Sequence, residues 1–536
     1  MAQMTGGEAL ARSLYNEGVR TIFGLPGVQL YHALGGLMAT PEIRFINTRH
    51  EQGTTYMADG FARVAGQEGI AMVVPGPGLL NASAGLSDAY AACSPVMLIS
   101  GQISIDAIGR DRGVLHELND QLDVARTITK WCSRVLDPTL IPRVVHEAFR
   151  QMNTGRPRPV EIEIPPETLA QAAEIELLDR GVYSPELPDS SSIDKAAALI
   201  TKAERPVIWA GGGVIRSGAS QALLALAEYL QAPVINTPEA KGAISSRSYL
   251  SLGTAKAGQA RPDLDPLHHF AQGCDLILAV GTRFATLTLE DSMQVVQIEI
   301  DPEEVGRNHG KTQAVVGDAR VSLEALHDAL RSGGARSSRQ SEFEAFRAQR
   351  EEIRVGVNPQ NPFMEALRDA IPEDGVVVAD STQVGYHSNT FFPVYQPGTY
   401  INSSYQGNLG YAFPTALGAK VGVPDRAVVS ISGDGGFMFA VQEIATAVQH
   451  GINLVSVVFN DNAYGNVLRD LNDIFDGKDV GATLRNPDFV KLAEAFGAGA
   501  MRANGPSELN ACLKEALADN RPTLIEVPVD KMPRGR

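Results

Sequence analysis

The stretch Ala427–Leu468, AVVSISGDGGFMFAVQEIATAVQHGINLVSVVFNDNAYGNVL, decides the fold of this 536-residue chain. An apolar run (Val428, Val429, Ile431) breaks at Gly433-Asp434-Gly435-Gly436. Apolar residues at helical spacing follow (Ile444, Ala447, Val448), then a second apolar run from Leu454 to Phe459. This spacing predicts strand, turn, helix and strand. Such a crossover within one sheet is almost always right-handed and parallel, so the two strands end at one edge. Asp434 and the cluster Asn460-Asp461-Asn462 then face each other there. An Asp-Gly pair after an apolar run is most often a hairpin turn, but the period that follows is 3.6 and not 2, which favours the crossover. Asn460-Asp461-Asn462 alone reads as a surface turn. Together the two clusters offer hard oxygen ligands, and the glycines let backbone N–H groups approach a phosphate. The combination points to Mg2+ or Ca2+ holding a diphosphate.

At 57.2 kDa the chain is too long for one core, and about 150 residues per domain gives three or four domains. A net charge of −16 argues against a broad nucleic-acid footprint, though not against a local cationic pocket. The cysteines Cys93, Cys132, Cys274 and Cys512 show no zinc spacing, and read as reduced, mostly buried thiols of a cytoplasmic protein. The N-terminus lacks a basic segment followed by an apolar core, and no apolar run is long enough to span a bilayer. A soluble, intracellular protein with no membrane partner is expected.

Strand and helix patterns alternate through the first third, which predicts a doubly wound parallel sheet. Within it, Arg49-His50-Glu51-Gln52-Gly53 joins a strand at Ile43 to Asn47 to a helix, and Pro75-Gly76-Pro77-Gly78 opens another helix. A polar, proline-bearing linker is expected between Leu169 and Ser192. A second α/β unit starts at Arg205 and passes through Gly211-Gly212-Gly213, where Arg216 replaces the third glycine of a dinucleotide fingerprint and a tight turn is expected instead. Ser332 to Glu352 reads as a second linker or an exposed helix. The third unit holds the opening stretch. The fold expected is therefore α/β, with three doubly wound parallel-sheet domains at 1–170, 190–335 and 355–530.

The segments RHEQGTTYMADGFARVAG (Arg49 to Gly66) and PGPGLLNASAGLSDAY (Pro75 to Tyr90), with GDG and the Asn-rich cluster 27 residues on (461 − 434), resemble the thiamin diphosphate enzymes of the decarboxylase and acetolactate synthase branch. The resemblance covers the whole chain. It implies a pyrimidine-binding domain, a central domain and a diphosphate-binding domain, with thiamin diphosphate and Mg2+ as cofactors. Metal ligands would be Asp434, Asp461, standing where the family has a second asparagine, and the carbonyl of Ala463. Glu51 would be the carboxylic acid beside the pyrimidine ring, a role that needs an apolar site to keep the acid protonated. Complementing the dipole of its own helix is its plainer reading. Cofactor contacts carry over to Gly76, Asn81, His387, Gly407, Gly435, Gly436 and Tyr464, with Leu409 as an apolar wedge under the bent cofactor.

Substrate positions depart from acetolactate synthases, which carry Phe-Gln-Glu where this chain has Leu115-His116-Glu117 and a tryptophan in place of Asp470. His116-Glu117-Leu118-Asn119-Asp120-Gln121 is similar to a branch that includes 2-ketoarginine decarboxylases. His116 is the candidate for proton transfer, and Val28, His32 and Gln121 are candidate substrate contacts. Arg283-Phe284-Ala285-Thr286-Leu287 departs from the flavin-binding stretch of acetolactate synthases, which puts FAD in doubt. The resemblance implies decarboxylation of a 2-oxo acid, with release of an aldehyde or carboligation, by a homo-oligomer (a dimer or a dimer of dimers) with active sites between subunits. Alternatives are a decarboxylase of a larger or cationic 2-oxo acid, a 2-hydroxyacyl-CoA lyase, and a non-catalytic cofactor-binding regulator.

Overall fold

The structure is a computed structural model that describes residues 1–255, 266–285, 287 and 289–533. Three six-stranded parallel sheets follow one another along the chain. Their strands are short apolar runs buried on both faces, as in Val96–Gly101, Leu276–Val280 and Val428–Gly433, the composition that a sheet covered by helices on each side requires. Counted within each domain, the strand orders are 2-1-3-4-6-5, 3-2-1-4-5-6 and 2-1-3-4-6-5. The first and third domains thus share one topology. A two-stranded antiparallel pair, Ala2–Thr5 with Ala172–Ile175, closes the first domain, and the sequence pattern gave no sign of it.

The polar stretch after Leu169 holds that closing strand and then runs without regular structure from 176 to 189. The Ser, Arg and Glu-rich stretch before Glu352 lies largely in a helix, Gln340–Val355. At Gly211 to Arg216 the chain turns tightly into the short helix Gly212–Arg216, with Gly213 packed on Gly281. Arg216 is not a spoiled fingerprint position: it reaches into the first domain, to Ala92 O and Ser94 Oγ at 3.1 and 2.6 Å. Of the cysteines only Cys274 is buried. The other three are half-buried, against the expectation of mostly buried thiols, and all four are unpaired. No helix among the described residues is long and apolar enough to cross a membrane.

The first and third domains meet through two helices, Glu51–Ala65 and Ala412–Gly422. Their axes can approach closely because glycines face carbonyls: a Cβ on Gly60 would overlap Thr415 O, and one on Gly418 would overlap Met57 O. Around this seam one apolar cluster joins Tyr56, Met57 and Leu86 to Ile401, Phe413 and Leu417. Tyr56 and Tyr411 meet edge to face at 5.5 Å. Arg63, on the same helix, binds Asn402 O and Tyr411 Oη at 2.9 Å and, in the central domain, Glu239 at 2.8 Å.

A Gly418→Ala chain should lose about 2 kcal/mol of stability in urea unfolding, because the added methyl meets backbone that cannot move aside. Gly35→Ala, in a helix where no atom lies within 4 Å of the new carbon, should be neutral or stabilising by about 0.5–1 kcal/mol.

Candidate active site

Val428–Gly433 and Val455–Asn460 pair in parallel with Gly433 opposite Phe459, so Asp434 and Asn460 leave the sheet side by side. Asn486 closes the cluster. Its Nδ2 donates to Asp434 Oδ2 at 2.5 Å and to Asn460 Oδ1 at 3.0 Å. Asp461 Oδ1 accepts from Ala463 N at 3.1 Å. Burial raises both carboxyls, and Asp434 then adds to the rise at Asp461, which stands at about 6. Two partly buried carboxyls that repel each other are a site for a cation. Asn462 sits at φ 55, and the bridge between Ala463 and Thr483 uses Asn462 O and Tyr464 N, leaving the Ala463 carbonyl out. Among the described residues no three His, Cys, Asp or Glu side chains converge on a metal-sized site. The pair Asp434 and Asp461 is a set that would suit Mg2+ if a backbone carbonyl and phosphate oxygens completed the shell.

Gly435 and Gly436 are required by their neighbours. A Cβ on Gly435 would stand 2.5 Å from the Tyr464 ring, and one on Gly436 would stand 2.9 Å from Asp380 Oδ2. Asp380 gave no signal in the sequence beyond a strand end. Burial pushes its carboxyl up to about 6, against hydrogen bonds from the N–H groups of Ser381, Gly410 and Ala412. His387, expected as a diphosphate contact, lies on the helix Gln383–Phe391. It is buried, with Nε2 3.3 Å from Asn361 Oδ1 and its ring 5.0 Å from Phe391. One helical step turns it inward, and its neighbour Tyr386 is the exposed residue of that turn. Burial lowers the His387 imidazole to about 4, so it is neutral.

Gly407, at φ 63, and Leu409 lie on an exposed to half-buried segment. Between them Asn408 donates to Tyr56 Oη at 3.0 Å and to Ala84 O at 3.1 Å, pinning the segment to the first domain. Leu409 belongs to none of the buried apolar clusters, so packing in a core does not explain it.

Glu51 opens its helix, capped by His50, and is 8% exposed. Its Oε2 accepts from Asn81 Nδ2 at 3.0 Å. Glu443, from the third domain and unnoticed in the sequence, accepts from Arg49 N with both oxygens at 3.1 Å and so fixes the entry to the Glu51 helix. Gly76, at φ 59, abuts the carbonyl of His116, which is itself at φ 69. His116 Nδ1 lies 3.2 Å from Gln29 Oε1, while Gln29 Nε2 donates to Leu115 O at 3.4 Å. Gln29 thus turns its carbonyl oxygen to the ring, an arrangement that suits the tautomer with the proton on Nδ1. The sequence pointed instead to its neighbours. Val28 is exposed beside it, and His32 is exposed one turn on, with no hydrogen bond to His116. Gln121 is buried: it accepts from Gly76 N at 2.9 Å and donates to Ser100 Oγ and Glu163 Oε2 at 2.9 and 3.0 Å. It positions the Gly76 turn. Thr286 of the Arg283 to Leu287 stretch lies outside the described residues.

Residues 4–124 match the N-terminal domain model of thiamine pyrophosphate enzymes, 193–326 the central domain, and 380–527 the C-terminal domain. A probable 2-ketoarginine decarboxylase of Pseudomonas aeruginosa is 35% identical over 98% of this chain and 94% of its own length. The chain belongs to the thiamine pyrophosphate enzyme family. A probable acetolactate synthase large subunit of Methanocaldococcus jannaschii is 34% identical over 98% of the chain and 92% of its own length. The Escherichia coli acetolactate synthase isozyme 3 large subunit is 30% identical over 99% and 96%. As a thiamine pyrophosphate enzyme, the protein carries the acid, the glycine turn and the oxygen cluster on domains that match the family's N-terminal and C-terminal models.

An acid held near 6 instead of its ordinary 3.8 costs roughly 3 kcal/mol to ionise in the fold. Its contribution is therefore intact below about 4 and is lost as pH rises through about 6. Asp380→Asn should remove that loss. Relative to wild type, the variant's thermal midpoint should gain between pH 4 and pH 7, and parallel curves would show that Asp380 ionises without penalty.

Proposed function

We propose that this thiamine pyrophosphate enzyme uses thiamin diphosphate and Mg2+ to decarboxylate a 2-oxo acid, with release of an aldehyde or ligation of the acyl unit to a second carbonyl compound. The pair Asp434 and Asp461 carries this reading, because two raised carboxyls beside a glycine turn suit a divalent cation and a diphosphate. When bound, the cofactor supplies the electron sink for the pair of electrons left by departing CO2. Asp434, Asp461 and the Ala463 carbonyl would hold the cation. The N–H groups of Gly435 and Gly436 would face the diphosphate, with Tyr464 beside them. Gly407, Leu409, Gly76 and Asn81 would border the rest of the cofactor.

Glu51 keeps Oε1 clear of Asn81 and so can hold a proton toward the pyrimidine ring. With Nδ1 turned to Gln29 Oε1, His116 can take a proton on Nε2 from substrate or solvent and hand it back to substrate. The family relation supports a catalyst over a regulator. No flavin is proposed. A cationic 2-oxo acid is the second reading, favoured by Glu117. The N–H groups of Val114 and Arg112 hold its carboxyl below the ordinary carboxylate range, so a fixed negative charge stands next to His116. Incubation of the loaded enzyme with pyruvate and with 2-ketoarginine, with products read by NMR, separates the two readings. Release of CO2 from neither, nor from a wider panel of 2-oxo acids, would defeat both. Glu51→Gln should lower turnover by about two orders of magnitude or more at unchanged thermal midpoint.

We further propose that sites form between two copies of the chain. Large apolar side chains stand exposed around both halves of the site: Val28, Leu80 and Leu115 on one, Tyr405, Met438 and Phe439 on the other. Equal mixing of Glu51→Gln and Asp434→Asn chains, each inactive alone, should restore about a quarter of wild-type activity through hybrid dimers with one intact site. No recovery after verified subunit exchange would place each site within one chain.

A further inference from the structure

A cavity lies elsewhere in the molecule, and none of the residues of the proposed site lines it. It has a volume of about 760 Å³ and runs along the edge strand Ser251–Thr254 of the central sheet, between that strand and the helices Gln360–Ala370 and Gln383–Phe391 of the third domain, with Gln340–Val355 beside it. This is two strands removed from the crevice at Gly211 and Gly281 where the strand order of the central sheet reverses.

Among the described residues, its walls carry more cations than carboxylates. Each carboxylate there already has a cation: Glu351 and Glu365 pair with Arg354, Glu373 with Arg247, and Asp369 with Lys514. Among the described residues, other cations on the wall bond to neutral oxygens, Arg347, Arg368 and Lys241 among them. Arg347 donates to the carbonyls of Ser246, Ser248 and Ser251. Arg368 donates to those of Ile371, Pro372 and Pro393 and lies over Phe392 and Tyr395. Lys241, only 5% exposed, lies 3.1 Å from Asn389 O and 3.4 Å from Thr254 Oγ1. At the same inner end Asn236, 3% exposed, has an Oδ1 with no hydrogen-bond partner. In a chain of net charge −16 this is a concentration of positive charge, half-buried at Arg347 and Arg368 and buried at Lys241, beside an unsatisfied polar group. A cavity of this size matches small-molecule pockets, which run about 300–1,000 Å³, and exceeds what a single inorganic phosphate fills.

We propose that this cleft binds a small polyanion of the diphosphate class, at a site separate from the catalytic one. Guanidinium groups already oriented by backbone carbonyls suit such an anion, because little side-chain entropy remains to be lost on binding. Lys241 would supply a compact charge at the buried end. Burial and the nearby Arg350 hold its ammonium well below the ordinary pKa, a strain that an anion beside it relieves. The bound anion would bridge two domains, so occupancy would stiffen their junction.

The test is calorimetric titration of the full chain, first saturated with thiamin diphosphate and Mg2+ so that the catalytic site is filled, with pyrophosphate and with ADP. One site per chain of submillimolar affinity is expected for at least one of the two. Arg368→Gln should weaken it by about tenfold or more. Thr390→Glu, which adds a carboxylate at a half-buried position on the wall while leaving every arginine in place, should do the same without lowering 2-oxo acid turnover. The second variant answers the case in which the first misfolds. No binding of either probe at millimolar concentration overturns the proposal. So does binding that survives both variants, or binding abolished instead by Arg283→Gln at the central crevice. None of these outcomes depends on which 2-oxo acid the enzyme takes.

Discussion

The approach of helix Glu51–Ala65 to helix Ala412–Gly422 is the contact on which the molecule depends. Helices joined through ordinary side chains stand about 8–10 Å apart. Here Gly60 and Gly418 let backbone meet backbone, at the cost in helix propensity that each glycine carries. The return is that the first turn of the Glu51 helix, the pinned Asn408 and the Glu443 carboxylate are held in one frame. Glu443 is wholly buried, and burial raises its carboxyl, yet Thr446 and the N–H groups of Arg49 and His50 bond it. A loop entry that would otherwise fray is tied to a domain almost four hundred residues away.

The site shows the same trade. Asp434, Asp461 and Asp380 are raised by burial in every case, and the fold tolerates all three at one sheet edge. Backbone N–H groups, Asn486 and glycines without side chains make that tolerable. Such a cluster is poor design for stability alone and suits an incoming cation.

Much of this was legible in the sequence. Period 3.6 after Gly433-Asp434-Gly435 and apolar runs on either side gave the crossover, and the crossover brought Asp434 to Asn460 without any knowledge of distance. Asp380, Glu443 and Gln29 were not legible. Each acts through a partner far along the chain, and alone each reads as a strand end, a helix start and a turn residue. His387 shows the limit of motif reading: its local pattern says nothing of the helical phase that sets the ring among Asn361 and Phe391. Nor could the sequence show that Gln121 bonds the turn at Gly76. The pair Ala2–Thr5 and Ala172–Ile175 escaped because neither strand alternates over enough residues to stand out.

Arg63 carries a consequence of another kind. Burial works against its charge, but Tyr411, Glu239 and Asp59 more than offset it, and these partners come from all three domains. Were any one domain to open, a buried guanidinium would lose part of its compensation, a penalty of about 3–5 kcal/mol in comparable cases. The domains therefore cannot melt as independent beads on a string. A single cation at their junction thus couples the three cores to one another.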